Sequence, residues 1–405
     1  MKRVLILSPS IYGKNANANG LCAACVAKEF QSNGIDVEVI AFSSEGCNKF
    51  SFPIHEIQRG KRKKAKNNKT TLFSKFFAFL KVIRYLIIGV TYNKDDVLNF
   101  YNATKNICLT KSVDVIVGIF FPFETAIALK RLKKEFPAIT TCVFQLDEAL
   151  AIDNGKISTR LIRLSYARLM GRTYNTIDRV IVMRSHEKTW RSEYKYYRKK
   201  LVVSDLPVLS KWELKDCIPL ESRKENSLTF IYSGILNKNY RSPVAVIELF
   251  KQSLLNNYDY VLYFYSKGNC EDYLLKESIN NDKIKLMGFV DNDILKHEIE
   301  KANFLINIGN LNSNSVPSKL IMYLSTGKPI IHFAYSKSDS CLFYLNQYPN
   351  SLVLYVNDPL DYSAKKLSHF LEVSHDKRIS FDSVAKTFFM NDPKFSCNLI
   401  LKGEG

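Results

Sequence analysis

Residues 316–331 of the chain read VPSKLIMYLSTGKPII and predict a loop, a helix and a strand in that order. An apolar run at 304–308 reads as the preceding strand. Pro317 suits a first helical position, where its missing N–H costs nothing, and Gly327 with Pro329 closes the helix. The N-terminus of such a helix offers free N–H groups and partial positive charge, which bind an anion such as a diphosphate. Most units of this kind bind nothing, so the rest of the chain must decide.

The length and composition bound the architecture. At 405 residues, with 46% hydrophobic residues, the chain is long enough for two domains with a core in each. Its nine cysteines are dispersed, and only Cys22 and Cys25 lie close together, which favours a reducing compartment over a disulfide framework. The apolar run at 4–7 is too short for a secretion signal, so we expect a cytoplasmic protein.

The net charge of +19 fits a nucleic acid, an anionic membrane surface or a phosphorylated substrate as partner. A nucleic-acid module is not visible: there is no zinc-ligand spacing, no aromatic RNA-binding motif and no helix-turn-helix signature. We therefore predict no nucleic-acid partner.

Strand and helix patterns alternate along the chain, which predicts an α/β protein with parallel sheets. The alternation stops near Pro207 and restarts at Leu228. We predict two Rossmann-like domains facing a cleft, at 1–206 and 228–378, joined by a linker at 207–227. A helical tail at 379–405 is expected to return to the first domain. Ligands of such sheets bind beyond the carboxyl ends of the strands.

A basic and apolar insertion at about 59–92 interrupts this alternation. Seven Lys or Arg and no acid lie between Arg59 and Lys69, and an aromatic, aliphatic run follows at 72–88. Lys75, Lys81 and Arg84 interrupt that run, which argues against a transmembrane helix. The segment 59–88 is typical of attachment to an anionic membrane surface, but a core helix after a solvated basic loop explains it equally well.

Several short motifs of the second half share one arrangement. They are Tyr232-Ser233-Gly234, Arg241-Ser242-Pro243, and the segments at 264–268, 287–290, 307–310 and 317–329. Together they resemble the nucleotide-sugar domain of GT-B glycosyltransferases, most closely bacterial glycosyltransferase family 4. The resemblance covers essentially the whole chain, with its specificity in 228–332. It implies a hexosyltransferase-type enzyme of bacterial cell-surface polysaccharide or capsule synthesis that retains the configuration of the transferred sugar. It also implies a glycan or lipid-linked acceptor at the inner membrane face.

The resemblance also implies roles for donor-side residues. Gly234 is similar to the glycine that lets the donor phosphates approach the backbone. Arg241 is similar to the cation that neutralises the diphosphate. A guanidinium suits this role because it can donate two parallel N–H hydrogen bonds to phosphate oxygens. Ser318 and Lys319 are similar to the helix start that caps the same diphosphate.

Other positions complete the implied site. Phe289 and Val290 resemble the segment that borders the nucleobase, and Gly268 belongs to the same donor side. On the acceptor side, Asn19 and Gly20 resemble a flexible loop near the reacting centre.

The chain departs from the family pattern at three places. Met322 and Asn314 stand where the family commonly has acids, and a Met cannot accept a useful hydrogen bond from a ribose hydroxyl. A second lysine after Arg241 is missing, and Lys238 is expected to substitute for it. These gaps keep open a non-catalytic GT-B partner subunit that binds nucleotide sugar or glycan, although Arg241 and Lys319 argue against it.

Catalysis would come from fixed positive charge on the leaving diphosphate. No Asp-x-Asp pair lies near a strand end, so we predict neither a metal nor a cofactor. Asp147 is the first candidate for a general base or a sugar ligand, with Glu148 and Glu124 as alternatives. Asp147 is equally well explained as a helix N-cap or a loop carboxylate. His332, in a site strand, is expected to be a packed residue. A sugar-nucleotide 2-epimerase, which shares the fold, would need several acids that do not stand out here.

Overall fold

The computed structural model describes residues 2–13, 17–46, 48–60, 92–120, 122–146, 157–187, 200–212, 227–252, 258–311, 316–375 and 377–403. The chain divides into two compact units. The first comprises Met1–Val208 and Met390–Gly405, and the second comprises Leu209–Phe389. Within the described ranges, none of the helices combines the length and apolarity needed to cross a bilayer.

The first unit contains a parallel sheet of seven strands among its described residues, in the order β3-β2-β1-β4-β5-β6-β7. The strands are β1 (Arg3–Ser8), β2 (Asp36–Phe42), β3 (Ile54–Ile57), β4 (Val115–Phe120), β5 (Thr140–Gln145), β6 (Arg179–Met183) and β7 (Leu201–Ser204). The connecting helices are α1 (Ala18–Ser32), α2 (Lys94–Thr110), α3 (Glu124–Glu135) and α4 (Ile157–Tyr174). Central β4 is buried along its whole length, as expected for a parallel strand covered on both faces.

The second unit contains a parallel sheet of six described strands, in the order β10-β9-β8-β11-β12-β13. The strands are β8 (Leu228–Leu236), β9 (Tyr260–Gly268), β10 (Ile284–Leu286), β11 (Phe304–Ile308), β12 (Ile330–Ala334) and β13 (Ser351–Tyr355). The helices are α5 (Val244–Phe250), α6 (Glu271–Asn280), α7 (Asn292–Lys301), α8 (Ser318–Leu324), α9 (Leu342–Leu345), α10 (Leu360–Ser374) and α11 (Phe381–Thr387).

Aromatic packing fixes the centre of the second sheet. The rings of Phe230 in β8 and Phe304 in β11 stack with centroids 5.0 Å apart, and Phe250 of α5 meets Phe230 edge-on at 4.8 Å. Both contacts are among the preferred aromatic geometries. They place β8 and β11 side by side, so the loops that follow these two strands meet at one edge of the sheet.

The last helix, α12 (Pro393–Lys402), belongs to the first unit, where it packs on α1, β4 and β7. Ser396 of α12 lies within 2.9 Å of Ser204 of β7, hydroxyl to hydroxyl, and both side chains are buried. The expected tail at 379–405 is divided between the units, because α11 precedes the boundary at Phe389 and α12 follows it.

The apolar runs of the sequence predict strands at 228–232 and 260–265, and both strands are longer in the structure. β8 and β9 remain paired through Gly234 with Ser266 and Leu236 with Gly268, so both glycines lie inside strands rather than after them. The pairing extends through these residues because it gives the backbone N–H and C=O groups of both strands hydrogen-bond partners. Most of the insertion at 59–92 lies outside the described residues, and the membrane interpretation of 59–88 stays a prediction from sequence.

Candidate functional site

The carboxyl end of β8 carries the first predicted residue. Gly234 has φ of +148°, a conformation that L side chains rarely adopt, and an added Cβ would lie 3.3 Å from Tyr232 Oη. Opposite it in register, the buried Ser266 hydroxyl has no hydrogen-bond partner among the described residues. A side chain at position 234 would therefore strain the backbone at the same point where a buried hydroxyl is unpaired.

A tight turn after β8 brings Arg241 back beside the strand. The turn is closed by two backbone hydrogen bonds of 2.9 Å, one in each direction between Asn237 and Arg241. The guanidinium donates from Nε and Nη2 to Asn310 Oδ1, at 3.0 and 2.6 Å, and from Nη1 to the Ile235 carbonyl at 3.4 Å. These acceptors are neutral, so in the described part of the chain the positive charge of Arg241 is held in place without being cancelled.

The loop after β11 supports the same arginine through its backbone. Asn310 is the second residue after β11, and Leu311 N donates to the Tyr240 carbonyl at 2.8 Å. Because β8 and β11 are neighbours, the loop after one strand holds both the side chain and the backbone of the loop after the other. Asn310 belongs to the motif at 307–310, but the sequence alone does not predict it as a site residue.

Tyr323 links helix α8 to the end of β8. Its hydroxyl lies 2.8 Å from both the backbone N and the Oγ of Ser233. Tyr323 is almost completely buried, and this burial raises the pKa of its hydroxyl to about 12, so it remains a neutral donor and acceptor. The sequence does not reveal Tyr323, because its role depends on a contact with a residue 90 positions away.

Lys319 is a half-buried cation in the first turn of α8. Burial, with a smaller contribution from the charge of Lys296, lowers the pKa of Lys319 to about 8. Within the described residues no hydrogen bond or ion pair joins its amine to an acid. A partly dehydrated ammonium without an acidic partner is stabilised by a bound anion.

Helix α8 differs in detail from the prediction. Pro317 is the N-cap rather than the first helical residue, and the helix spans only Ser318–Leu324, with Gly327 beyond it at φ of +73°. Ser318 is partly exposed, whereas Met322 is only 8% exposed. The Met322 side chain therefore belongs to the packing of the unit.

The remaining donor-side residues lie toward β9 and β10. Phe289 is 71% exposed, Val290 is partly exposed, and Lys267 Nζ lies 4.2 Å from the centre of the Phe289 ring. The pair forms an exposed cation–π contact. Lys238 is also exposed, and its backbone N donates to Asn269 Oδ1 at 2.8 Å.

A buried polar network lies directly behind the β11 loop. It consists of Asn307, His332, Asp339 and Cys341, and we refer to it as the His332 network. Asn307 Nδ2 lies 2.9 Å from His332 Nδ1, and His332 Nε2 lies 3.2 Å from Asp339 Oδ2. Ligand atoms of His332, Asp339 and Cys341 lie within 4.8 Å of one another, close enough to hold a metal ion. Their hydrogen bonds to each other account for the cluster without an ion.

The acceptor-side residues of the first unit lie in a helix, so their prediction as a loop is wrong. Asn19 and Gly20 are buried in the first turn of α1, and Asn17 caps this helix by accepting from Gly20 N at 2.9 Å. An added Cβ at Gly20 would lie 2.2 Å from the Ser10 carbonyl oxygen. A glycine at this position allows the helix to approach the loop after β1.

Of the predicted general bases, only Glu124 lies among the residues that the structure describes. Asp147 and Glu148 lie outside the described residues, as does Asn314. Glu124 begins α3, and its carboxylate accepts from Asn93 N at 2.8 Å. This contact gives Glu124 a structural role at the start of α2.

Comparisons with known proteins identify the fold. No protein-family profile matches the chain, and no curated sequence matches it. Among solved structures, sucrose-phosphate synthase from Thermosynechococcus elongatus aligns with a TM-score of 0.62 and 11% identity, over 99% of this chain and 95% of that one. WaaG, a glycosyltransferase involved in lipopolysaccharide biosynthesis, aligns with a TM-score of 0.56 and 13% identity, over 99% of this chain and 100% of that one.

A third structure gives the same result: the catalytic domain of starch synthase IV from Arabidopsis thaliana aligns with a TM-score of 0.58 and 12% identity, over 98% of this chain and 95% of that one. Identities this low establish the fold alone. The chain has the α/β fold of GT-B glycosyltransferases, with parallel sheets of seven and six strands in its described residues.

Proposed function

We propose that the chain is a glycosyltransferase that moves a sugar from a nucleotide diphosphate sugar to an acceptor hydroxyl. The observation that carries the proposal is Arg241, a cation held by neutral acceptors at the carboxyl edge of the second sheet, beside Gly234. Ligands of parallel α/β sheets bind at this edge. The proteins of the same fold described above include one named as a glycosyltransferase and two named as synthases of sugar compounds.

The proposed chemistry depends on charge that develops on the departing diphosphate. As the bond from the sugar to the diphosphate breaks, negative charge grows on the phosphate oxygens. The Asn310 and Ile235 oxygens and the Tyr232 hydroxyl occupy part of the Arg241 guanidinium, and the N–H donors that remain would bind phosphate oxygens. A fixed contact of this kind contributes about 2–4 kcal/mol of transition-state stabilisation.

Lys319 would supply the second positive charge. Its lowered pKa means that the folded protein disfavours the isolated ammonium, and a diphosphate beside it would restore that charge. Gly234 would let the phosphates approach the β8 backbone, and the unpaired hydroxyl of Ser266 offers a further donor at the same place. Lys238 and the backbone around Ser318 and Gly268 remain proposed donor contacts.

Recognition of the nucleoside is proposed for the exposed Phe289 and the adjoining Val290, with Lys267 over the Phe289 ring. Buried Met322 cannot hold the ribose hydroxyls, so the ribose must be bound by other groups. Met322 and Asn314 favour the alternative of a GT-B partner subunit that binds nucleotide sugar or glycan without turnover.

The acceptor side rests on sequence alone. We propose a glycan or lipid-linked acceptor, Asp147 as general base or sugar ligand, and Asn19 with Gly20 near the reacting centre. Membership of family 4, retention of configuration, independence of metal and a role in bacterial capsule or surface polysaccharide synthesis are parts of the same proposal. The basic segment 59–88 would hold the protein on the anionic inner face of the membrane, as a peripheral cytoplasmic enzyme.

Release of nucleoside diphosphate tests turnover. Purified protein is incubated with UDP-, GDP-, ADP- and dTDP-sugars, with and without lipid extract as acceptor, and with or without EDTA. We expect release with one nucleotide class. It should be abolished in Arg241→Ala and unchanged in Lys386→Ala, which removes an exposed cation from α11. Donor binding without release in any mixture would favour the non-catalytic alternative.

A further inference from the structure

We propose that the His332 network positions Arg241, by holding the Gly309–Asn310 loop against the arginine. This inference rests on the proposed role of Arg241 at the donor diphosphate. It makes Asp339 and His332 positioning residues, which act through the loop after β11 and do not touch the substrate.

The first step is the internal order of the network. Asn307 of β11 and His332 of β12 are direct partners in the parallel register. Asn307 Nδ2 points toward His332 Nδ1 and also toward Cys341 Sγ at 3.7 Å, and both of these atoms can accept a hydrogen bond. With Nδ1 accepting, His332 Nε2 carries the proton and donates it to Asp339 Oδ2.

The second step is the charge of Asp339. Its carboxylate is 5% exposed and also accepts from Cys341 N at 2.9 Å. Burial acts to raise the pKa of Asp339, but the hydrogen bonds from His332 and Cys341 hold it below its ordinary value. The network therefore contains an ionised carboxylate whose partners fix its position. Apolar side chains would fill the same space without the free-energy cost of burying a charge, so packing alone does not explain a carboxylate here.

The third step joins the network to the loop. A Cβ added to Gly309 would lie 1.9 Å from Asp339 Oδ2 and 3.3 Å from His332 Cε1, so the Gly309 backbone packs directly on this pair. Gly309 N also donates to the Phe333 carbonyl at 3.0 Å. The loop can approach β12 this closely only because position 309 is a glycine.

The fourth step reaches the arginine. Asn310 is the next residue, and its Oδ1 accepts from both Nε and Nη2 of Arg241. A shift of Gly309 moves Asn310 and, with it, the acceptor that orients the guanidinium. A misplacement of about 1 Å at a site of this kind can lower a rate by about 100-fold.

The test observes Arg241 without any ligand. In protein labelled with ¹⁵N-arginine, the Nε–Hε signal of Arg241 is assigned by its loss in Arg241→Lys. We expect Asp339→Asn to move this signal toward the position found in Asn310→Ala, in which the acceptor is gone. Lys337→Gln, a change of an exposed side chain in the loop that follows β12 and carries Asp339, should leave the signal unmoved.

Asn307→Ser provides a second variant that leaves the carboxylate intact, in case Asp339→Asn fails to fold. It removes the donor to His332 Nδ1 and should move the Arg241 signal in the same direction by a smaller amount. An unmoved signal in a folded Asp339→Asn or Asn307→Ser protein would overturn the inference.

Enzymatic measurements separate this inference from the proposed function. If wild type releases nucleoside diphosphate, Asp339→Asn should lower kcat/KM by about 10- to 100-fold relative to wild type. The thermal stability of Asp339→Asn should equal that of Asn310→Ala. If wild type neither binds nor turns over any donor, the proposed function fails, and the Nε–Hε signal still decides whether the network positions Arg241.

Discussion

Nε and Nη2 of Arg241 donate to one oxygen, Asn310 Oδ1, at 3.0 and 2.6 Å. A carboxylate at this position would hold the guanidinium at least as firmly but would cancel its charge. The neutral Asn310 amide therefore fixes the orientation of the Arg241 guanidinium and leaves its positive charge uncompensated. This combination is what a site for a diphosphate requires.

The first prediction concerns Asn310→Asp. The substitution keeps the fork to Arg241, so we expect equal or slightly higher thermal stability, but donor affinity should fall by about 10-fold, equivalent to about 1.4 kcal/mol. Calorimetric titration and thermal unfolding of the same samples measure both effects. Undiminished affinity in a folded Asn310→Asp protein would show that the charge of Arg241 does not contact the donor.

The second prediction concerns pH and Lys319. Because the pKa of Lys319 is lowered to about 8 in the protein, its ammonium is present below this pH and is lost as the pH rises through it. Affinity for a nucleoside diphosphate should therefore fall between about pH 7 and 9. Lys319→Arg keeps its charge throughout this range and should bind with little pH dependence. An equal decline in the two proteins would exclude Lys319 as the titrating group.

The third prediction concerns Gly234→Ala. At φ of +148° an L residue is strained, so we expect a loss of about 1–3 kcal/mol of stability together with weaker donor binding. Gly171→Ala in α4 is the matched control, because an added Cβ there meets nothing within 4 Å. That control should unfold at the same or a higher temperature. Equal stability of the two variants would contradict the account of the β8 end.

The fourth prediction concerns Tyr323→Phe. Loss of the hydroxyl leaves the buried Ser233 N–H without its acceptor, which should cost about 1–3 kcal/mol in the free energy of unfolding. Combining Tyr323→Phe with Ser233→Ala in a double-mutant cycle separates the backbone contact from the side-chain contact. Additive effects of the two changes would mean that the two side chains are not coupled. An unchanged free energy of unfolding in Tyr323→Phe would mean that α8 is not tied to β8 through this hydroxyl.

Much of the fold could be predicted because the central strands are short apolar runs between polar loops. The run at 304–308 matches β11, since each of its residues is buried. The extension of β8 and β9 could not be predicted: Ser233, Gly234 and the segment 266–268 look like strand ends and become strand only by pairing with each other. Short β3 could not be predicted, since its sequence IHEI has no continuous apolar run. β13 has an apolar run at 352–355 but is only partly buried, and no strand is predicted for it from the sequence.

The candidate site was predictable only where a local motif marked it. Gly234, Arg241 and Lys319 stand in recognisable short motifs, whereas Asn310 contacts a residue 69 positions away. No local pattern reveals such a partner. Asn19 and Gly20 were placed in a loop because glycine and asparagine favour loops, but Asn17 starts α1 before them as its N-cap.

The most direct test of the proposed function is calorimetric titration of wild type, Arg241→Ala and Lys386→Ala with UDP-, GDP-, ADP- and dTDP-sugars. We predict that wild type and Lys386→Ala bind one nucleotide class with equal affinity. Arg241→Ala should bind that class at least 10-fold more weakly, a difference of about 1.4 kcal/mol or more. Equal affinity of all three proteins, or no binding of any donor by folded wild type, would contradict the assignment of a nucleotide diphosphate sugar site at Arg241.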